Sequence, residues 1–392
     1  SMMYPRLRLA RDLLREDGAI FVTIDDNEVH HLRMLMDEVF GEENFITTVI
    51  WQKVFSPKNT AKHFSEDHDY IVVYARDAEI WRPVLLPRSE EAKARYSNPD
   101  DDPRGPWSSS DLTARNYYAA GRYKVTGPTG KTFGPGVGRY WRSNYEKFLE
   151  LDADNRIWWG EDGENMPRLK RFLSEVKEGV IPQTLWQYGV VGHTQEAKKE
   201  LLSNVSFKET ENVLNTVKPT RLLKRVLHIA TEVDNGDIVL DFFAGSASTA
   251  HAVLQKNHED NGNRRFIVVQ PPVNLPKPEP RLSTIADIGR ERIRSVIAQM
   301  EADDAGQLDM RPDEDLGFRA YRLARSNFKP WRTTAPANIT DLQTAFDAFE
   351  TPLVEGWQRR DLLTEILLME GFPLDSAVTP QLAFAHNHVL LV

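Results

Sequence analysis

The chain has 392 residues, 41% hydrophobic and 27% charged, the make-up of a soluble globular protein long enough for two or three domains. No apolar run reaches the roughly 18–20 residues of a membrane span. The charged, helical N-terminus does not read as a leader, and the lack of cysteine excludes disulfides and thiolate metal sites and fits a cytoplasmic location. The net charge of −9 is unlike that of a simple nucleic-acid-binding domain, but it is unevenly spread: residues 104–171 carry 12 Lys and Arg against 8 Asp and Glu, and residues 301–392 carry 8 against 15. The middle section can therefore face phosphates and the C-terminal section cannot. Ser1-Met2 reads as the remnant of a cleaved tag.

In chain order, Leu7, Leu9, Ala10, Leu13 and Leu14 predict a helix over 4–16, stopped by Asp17-Gly18. Residues 19–24 predict a buried strand. Asp25-Asp26-Asn27-Glu28 predicts a helix start capped by Asp26, with Val29, Leu32, Leu35, Met36 and Val39 on one face and Gly41 as the stop. Residues 45–51 and 70–74 are β-rich, so residues 1–84 read as part of an α/β sheet. From about Trp81 the pattern breaks: Pro and Gly are frequent, aromatics are scattered, and no long periodic segment occurs before Met166. This predicts an irregular inserted domain over 85–205. The α/β pattern returns in 206–300, with a helix over 219–232, a strand ending at Asp241, a helix from Ala247 or Ser248, a strand over 265–270 and a helix over 285–300. Residues 301–315 read as an acidic linker, and 301–392 as that linker plus a small C-terminal module.

The most informative stretch is 237–251. Ile238 to Leu240 leads into Asp241, then Phe242-Phe243-Ala244-Gly245-Ser246, then a helix of small residues. Strand, glycine-bearing turn and helix start form the nucleotide-cofactor entry of an open α/β sheet. Gly245 lets the backbone approach a ligand, and the helix start offers unpaired N–H groups. A purely structural β–α turn has the same pattern, so the turn alone is a weak signal. In the inserted region, Arg115, Arg122, Lys124, Lys131, Arg139, Arg142, Lys170 and Arg171 suit phosphate and base-edge contact with double-stranded DNA. Each aromatic there is, taken singly, more often core than base-stacking. His63, His68, His228 and His251 lack ligand spacing, so no metal site is indicated.

Longer stretches along nearly the whole chain carry a family resemblance. They are Met3-Tyr-Pro-Arg-Leu-Arg-Leu-Ala-Arg11, Phe21-Val-Thr-Ile-Asp-Asp-Asn-Glu-Val29, Gly41-Glu-Glu-Asn-Phe45, Ile50-Trp-Gln-Lys53, Asn155-Arg-Ile-Trp158, Pro167-Arg-Leu-Lys-Arg-Phe-Leu173, Gly192-His-Thr-Gln-Glu-Ala197, Lys218-Pro-Thr-Arg-Leu-Leu223 and Asp241-Phe-Phe-Ala-Gly-Ser246. In this order they resemble the modification (Mod) subunits of type III restriction–modification systems, which are β-class DNA adenine-N6 methyltransferases using S-adenosyl-L-methionine (SAM). The resemblance implies an α/β, Rossmann-like SAM-dependent methyltransferase sheet, interrupted by a target-recognition domain and followed by a small α+β module. It implies that Asp241, Phe243, Ala244, Gly245 and Ser246 wrap the methionine part of SAM, and that Lys218, Pro219 and Thr220 face the cofactor, with Lys218 on its carboxylate. Gln270 would hydrogen-bond the ribose, and Asp25 would line the base pocket. Partners implied are double-stranded DNA, a second copy of the chain and an ATP-dependent restriction (Res) subunit.

Two departures matter. The family's Asp-Pro-Pro-Tyr, whose acidic side chain and prolyl carbonyl orient the adenine amino group while its aromatic ring stacks on the flipped base, occurs nowhere in the chain. Gln270-Pro271-Pro272-Val273 ends a different strand and does not replace it. Ala247 stands where many methyltransferases have glycine, which is tolerated if its φ is negative. The expectations are little or no methylation by this chain, a sheet short of one strand, and a destabilised or oligomeric product. A non-catalytic DNA-recognition subunit and a structural remnant are the rival readings.

Overall fold

The computed structural model describes residues 2–57, 59–304, 316–330, 351–374, 376–381 and 389–391. Its first elements follow the apolar spacing of the sequence. Helix α1 (Tyr4–Leu13), with proline in its first turn, buries Leu7 and Ala10. Strand β1 (Ala19–Ile24) leads to helix α2 (Val29–Phe40), which buries Leu32, Met36, Val39 and Phe40. Asp26 does not cap α2, contrary to expectation. Glu28 holds the cap position with no side-chain bond, and Asp26 accepts from the Tyr70 hydroxyl at 3.2 Å. The physical reason is an Asx turn: Asp25 accepts from the Asn27 amide at 3.2 Å, and the helix starts only at Val29.

Strands β2 (Phe45–Gln52) and β3 (His68–Ala75) complete a sheet of order β1-β3-β2-β11, where β11 is Leu185–Trp186. β3 is antiparallel to both β1 and β2, and β11 runs parallel to β2. The period-two alternation of β3 decides what packs where. Val72 and Tyr74 face α1 and α2 with Leu7, Leu32 and Met36. Ile71 and Val73 face the other way, onto Val49, Trp51, Trp81, Trp186, Leu222 and Ile229.

The inserted region opens and closes at an isolated antiparallel bridge, Leu86↔Val180. Between its ends lie the short helix α3 (Glu90–Lys93) and a sheet of β4 (Trp107–Asp111), β10 (Arg168–Phe172) and β9 (Ile157–Trp158). Two ribbons add β5 (Thr113–Ala114) with β8 (Tyr140–Trp141), and β6 (Val125–Thr126) with β7 (Thr132–Phe133). Helix α4 (Tyr145–Ala153) was not expected. Asn144 caps it by accepting from the Lys147 amide at 3.0 Å, and Phe148 anchors it in a core with Leu112, Trp141, Ile157 and Trp159. Within the range 85–205, β11 pairs with the main sheet, and after α5 (Tyr188–Val191), helix α6 (Thr194–Asn204) packs Ala197 and Leu201 against Val213, Val217, Leu282 and Ile288.

Helix α7 (Thr220–Ala230), β12 (Ile238–Asp241), α8 (Ser248–Asp260), β13 (Arg265–Val268) and α9 (Ile285–Asp304) follow the predicted α/β alternation. β12 and β13 pair in parallel, as a strand–helix–strand crossover requires. The expected single sheet is split in two. Among the described residues β1 pairs only with β3, and β12 only with β13, so each presents an open edge. None of the described helices is long and apolar enough to cross a membrane. Helix α9 carries the chain past residue 301, and residues 305–315 of the acidic linker lie outside the described residues. A separate unit, Phe318–Val392, contains α10 (Arg359–Met369) and an antiparallel pair, β14 (Thr379–Gln381) with β15 (Val389–Leu391).

Candidate functional site

A cavity of about 1660 Å³ lies between the open edges of β1 and β12. All of β1 and all of β12 line it. Leu7, Leu13, Leu32 and Leu35 supply apolar wall from α1 and α2, and Leu222, Leu223, Val226 and Leu227 supply it from α7. Asp241, Phe243, Ala244, Gly245, Ser246 and Lys218 also line the cavity, so six of the nine predicted cofactor residues are part of its lining. Pro219, Thr220, Gln270 and Asp25 are not on it. Asp25 is exposed and is taken up by its own turn, accepting from both nitrogens of Asn27.

The turn after β12 is held by hydrogen bonds on every side. Asp241 accepts from the Phe243 amide at 3.0 Å and from the Thr249 hydroxyl at 2.6 Å. Gln270 does not point at the cavity; its side-chain oxygen accepts from the Gly245 amide at 2.8 Å, which makes it a brace of the turn. Gly245 has φ +52° and Ala247 φ +57°. The condition of negative φ under which alanine is tolerated at 247 is therefore not met: both Gly245 and Ala247 are left-handed, a conformation costing a non-glycine residue roughly 1–2 kcal/mol. Ala244 and Ser246 are buried, whereas the Phe243 ring is half exposed.

Lys218 sits in a cluster that joins the separate sequence motifs. Its ammonium lies 3.2 Å from Asp69 and 4.8 Å from the centre of the Trp51 ring. Asp69, nearly buried, also meets Lys53 at 2.5 Å. The Trp51 indole donates to the Gly192 carbonyl at 3.0 Å, and Thr194 donates to the Lys53 carbonyl at 3.1 Å. Glu196 takes a two-pronged bond from Arg221, both prongs at 2.7 Å, and that guanidinium lowers the Glu196 pKa. The stretches 50–53, 192–197 and 218–223 thus converge on one cluster, and two lysines on one carboxylate leave a net positive charge there.

Sequence reasoning missed the group behind the turn. Arg292 on α9 is fully buried and donates to Ser246 and Ser248. Burial lowers its pKa to about 10, with Glu200 opposing. His251, also buried, faces it; burial first, then the charges of Arg292 and Lys224, push the imidazole down to about 3, so it is neutral and accepts the arginine's N–H. The helical spacing of α9 could have flagged Arg292, since it falls on the buried face with Ile288, Ile293 and Val296.

The eight basic residues of the insert divide. Lys170 is 1% exposed and bonded to Asp100 and Asp102, so it is no DNA contact. The cause is register: on β10 it alternates inward between exposed Arg171 and half-exposed Leu169. Arg115, Arg122, Lys124, Lys131, Arg142 and Arg171 are exposed. Arg122 lies 5.3 Å from the Tyr117 and Tyr140 ring centres, and Arg139 bonds Thr113 at 2.8 Å.

Comparison with known proteins places the chain. A family model described as DNA methylase, N6/N4 type, matches residues 1–270. The StyLTI Mod subunit, a type III restriction–modification enzyme of Salmonella typhimurium, is 37% identical over 331 residues, 83% of this chain and 48% of that protein. The EcoP15I Mod subunit of Escherichia coli is 26% identical over 96% of this chain and 60% of its own length. The type II methyltransferase M.EcaI of Enterobacter cloacae is 31% identical over 64% of this chain and 51% of its own. The chain thus spans about half the length of the curated relatives it matches. A solved SAM complex of M1.HpyAVI resembles it with TM-score 0.33 and 11% identity over 74% of this chain and 82% of that one, too slight a likeness to align sites. The family match and the identity to the StyLTI subunit agree: the chain belongs to the N6/N4 DNA methylase family.

Proposed function

We propose that this chain binds SAM on the wall formed by the 241–246 turn and Lys218, as the donor-binding and DNA-recognising part of a Mod-type adenine-N6 methyltransferase. The observation that carries the reading is that the turn and Lys218 line the same cavity. The residues present fit the cofactor. Lys53 and Lys218 share Asp69 and leave one net positive charge, which suits a carboxylate. Half-exposed Phe243 offers an apolar face on the same cavity. When bound, SAM supplies a methyl group on a sulfonium, which an adenine nitrogen can attack without a metal. The chain's residues contribute by orienting and desolvating the donor.

The acceptor side is different. No Asp-Pro-Pro-Tyr occurs in the sequence, and among the described residues β1 and β12, which both line the cavity, each keep one edge unpaired. Donor binding without methyl transfer is the outcome this arrangement supports. Recognition falls to the exposed cations of the insert, with Lys170 excluded. Pairing with a restriction subunit, a homodimer and a cytoplasmic location are part of the same proposal, supported by the likeness to type III Mod subunits. Calorimetric titration with SAM and tritium transfer to mixed-sequence DNA test it. Heat without transfer supports the reading; no heat leaves the chain a structural remnant, and turnover equal to that of a full-length relative sinks the separation of donor from acceptor. The open edges also favour a second reading, a non-catalytic recognition subunit. An Asp-Pro-Pro-Tyr encoded in frame upstream of this chain's gene segment would reject it.

A further inference from the structure

Helix α9 presses on the back of the turn with one face. Gly289 and Arg292, three residues apart and so on the same side, both reach it. A Cβ at Gly289 would stand 3.2 Å from the Ala247 Cβ and 3.6 Å from the Gly245 carbonyl oxygen, so the glycine lets the helix come this close. Arg292 then spends its whole fork on the site's scaffold. One terminal nitrogen donates to Ser246 Oγ at 3.1 Å and Ser248 Oγ at 2.7 Å. Nε and the other terminal nitrogen face His251 Nδ1 at 3.2 and 3.1 Å. That second nitrogen also lies 3.6 Å from Glu200 Oε2. Glu200 in turn accepts from the Thr220 amide at 3.1 Å and the Thr220 hydroxyl at 2.9 Å, at the start of α7 and two residues from Lys218.

One guanidinium therefore links the two segments that carry donor-wall residues, 241–246 directly and, through Glu200, Thr220 two residues from Lys218. A buried arginine is costly unless fully paired, and an apolar side chain would fill the same space more cheaply. We propose that Arg292 is a positioning residue that never touches the donor but sets the spacing between the turn and Lys218, and so the grip on the donor's amino-carboxylate arm. The proposal rests on the SAM reading above.

The test is calorimetry on the full chain with two ligands: SAM, and methylthioadenosine, which keeps the adenosine and lacks the amino-carboxylate arm. Arg292→Lys keeps the charge without the fork, and Arg292→Met keeps the bulk without donors. Both are expected to weaken SAM binding about tenfold to a hundredfold while methylthioadenosine binding stays within about twofold. Glu200→Gln leaves Arg292 in place and cuts its ionic link to α7. The same selective loss, smaller in size, is expected there, and it decides the matter if the Arg292 variants do not fold. Equal losses for both ligands would indicate a generally loosened fold and overturn the proposal, as would SAM affinity unchanged in Arg292→Lys or Glu200→Gln. A wild-type chain that gives no heat with SAM overturns the donor reading and this assignment together.

Discussion

The strands β12 and β1 border the same cavity and end very differently. After β12, Asp241, Gln270 and Arg292 between them engage the Phe243 and Gly245 amides and the hydroxyls of Thr249, Ser246 and Ser248. After β1, Asp25 is exposed and, among the described residues, its carboxylate bonds only to Asn27. The turn after β12 draws its shape from α8, α9 and residues 269–270 just after β13, all in its own half of the chain. It does not depend on what pairs with the open edge. Donor binding and methyl transfer should therefore be separable in this chain.

The largest effect expected from that contrast is on transfer. Heat with SAM should accompany methylation of mixed-sequence DNA at least about a thousandfold slower than that of a full-length relative, because an unpositioned acceptor forfeits the advantage of orientation. Scintillation counting of transferred label measures it, and a rate within tenfold of the relative's would mean that β1 and its neighbours hold the acceptor after all.

A second contrast lies within the insert, between cations turned inward and outward. Lys170 is sealed with Asp100, Asp102 and Arg104, and the Arg104 guanidinium holds the Asp102 carboxyl far below the usual carboxylate range. Removing one partner of a buried ionic group leaves the others unpaired. Lys170→Met is therefore expected to destabilise the insert by about 3–5 kcal/mol while leaving SAM heat intact. Arg122→Ala, beside exposed Tyr117 and half-buried Tyr140, should change stability by no more than about 0.5 kcal/mol. Its effect should appear instead in DNA binding, as a salt dependence shallower by about one counterion. Denaturant melts and fluorescence titrations at several salt concentrations distinguish the two; a DNA-binding loss in Lys170→Met without unfolding would reverse the assignment.

The buried imidazole gives the comparison a pH signature. His251 has its pKa lowered to about 3 in the fold, by burial first and by Arg292 and Lys224 next. Its unfolded value is near the ordinary histidine value of about 6.5, so between these limits the unfolded chain binds the extra proton. Stability is whole above about pH 6.5 and falls by about 1 kcal/mol per pH unit below it. His251→Asn keeps an acceptor for Arg292 and does not titrate. Urea melts from pH 7 to 4.5 should show a shallower acid slope in that variant, and equal slopes would mean that the imidazole is already relieved by solvent.

Elements with one clear period were legible in the sequence. The sequence places β1 to the residue, though its six residues are only partly buried where a buried strand is expected, and it places α7, α9 and the alternation of β12, α8 and β13 to within a few positions. What escaped was set by contacts between distant segments. Leu185-Trp186 is too short to announce a strand, and it joins β2 only because Ile50 and Trp51 offer an edge. Lys170 looked like its exposed neighbours until Asp100 and Asp102, some seventy residues earlier in the chain, closed over it. The same holds at the site: the turn was visible, and its braces Gln270 and Arg292 come from 25 and 46 residues away.

The smallest expected effect concerns Ala247 and tests whether α9 shapes the turn. Ala247→Gly removes a left-handed strain of roughly 1–2 kcal/mol. It also loosens the unfolded chain by about 0.4–1 kcal/mol and gives up a buried methyl of about 0.8 kcal/mol, so the net change should be near zero. The informative measurement is the pair. In Gly289→Ala the new methyl meets the Ala247 Cβ at 3.2 Å, a contact tighter than the backbones can easily relieve. Overpacking of about 1–3 kcal/mol then outweighs the gain of about 0.5–1 kcal/mol from replacing a mid-helix glycine. With Ala247→Gly in the background the obstruction is gone, and Gly289→Ala should turn from destabilising to neutral or stabilising. A double-mutant cycle by thermal melts reads the coupling directly. Additive effects would mean that α9 stands off from the turn and that the left-handed pair at Gly245 and Ala247 is held by the turn's own hydrogen bonds.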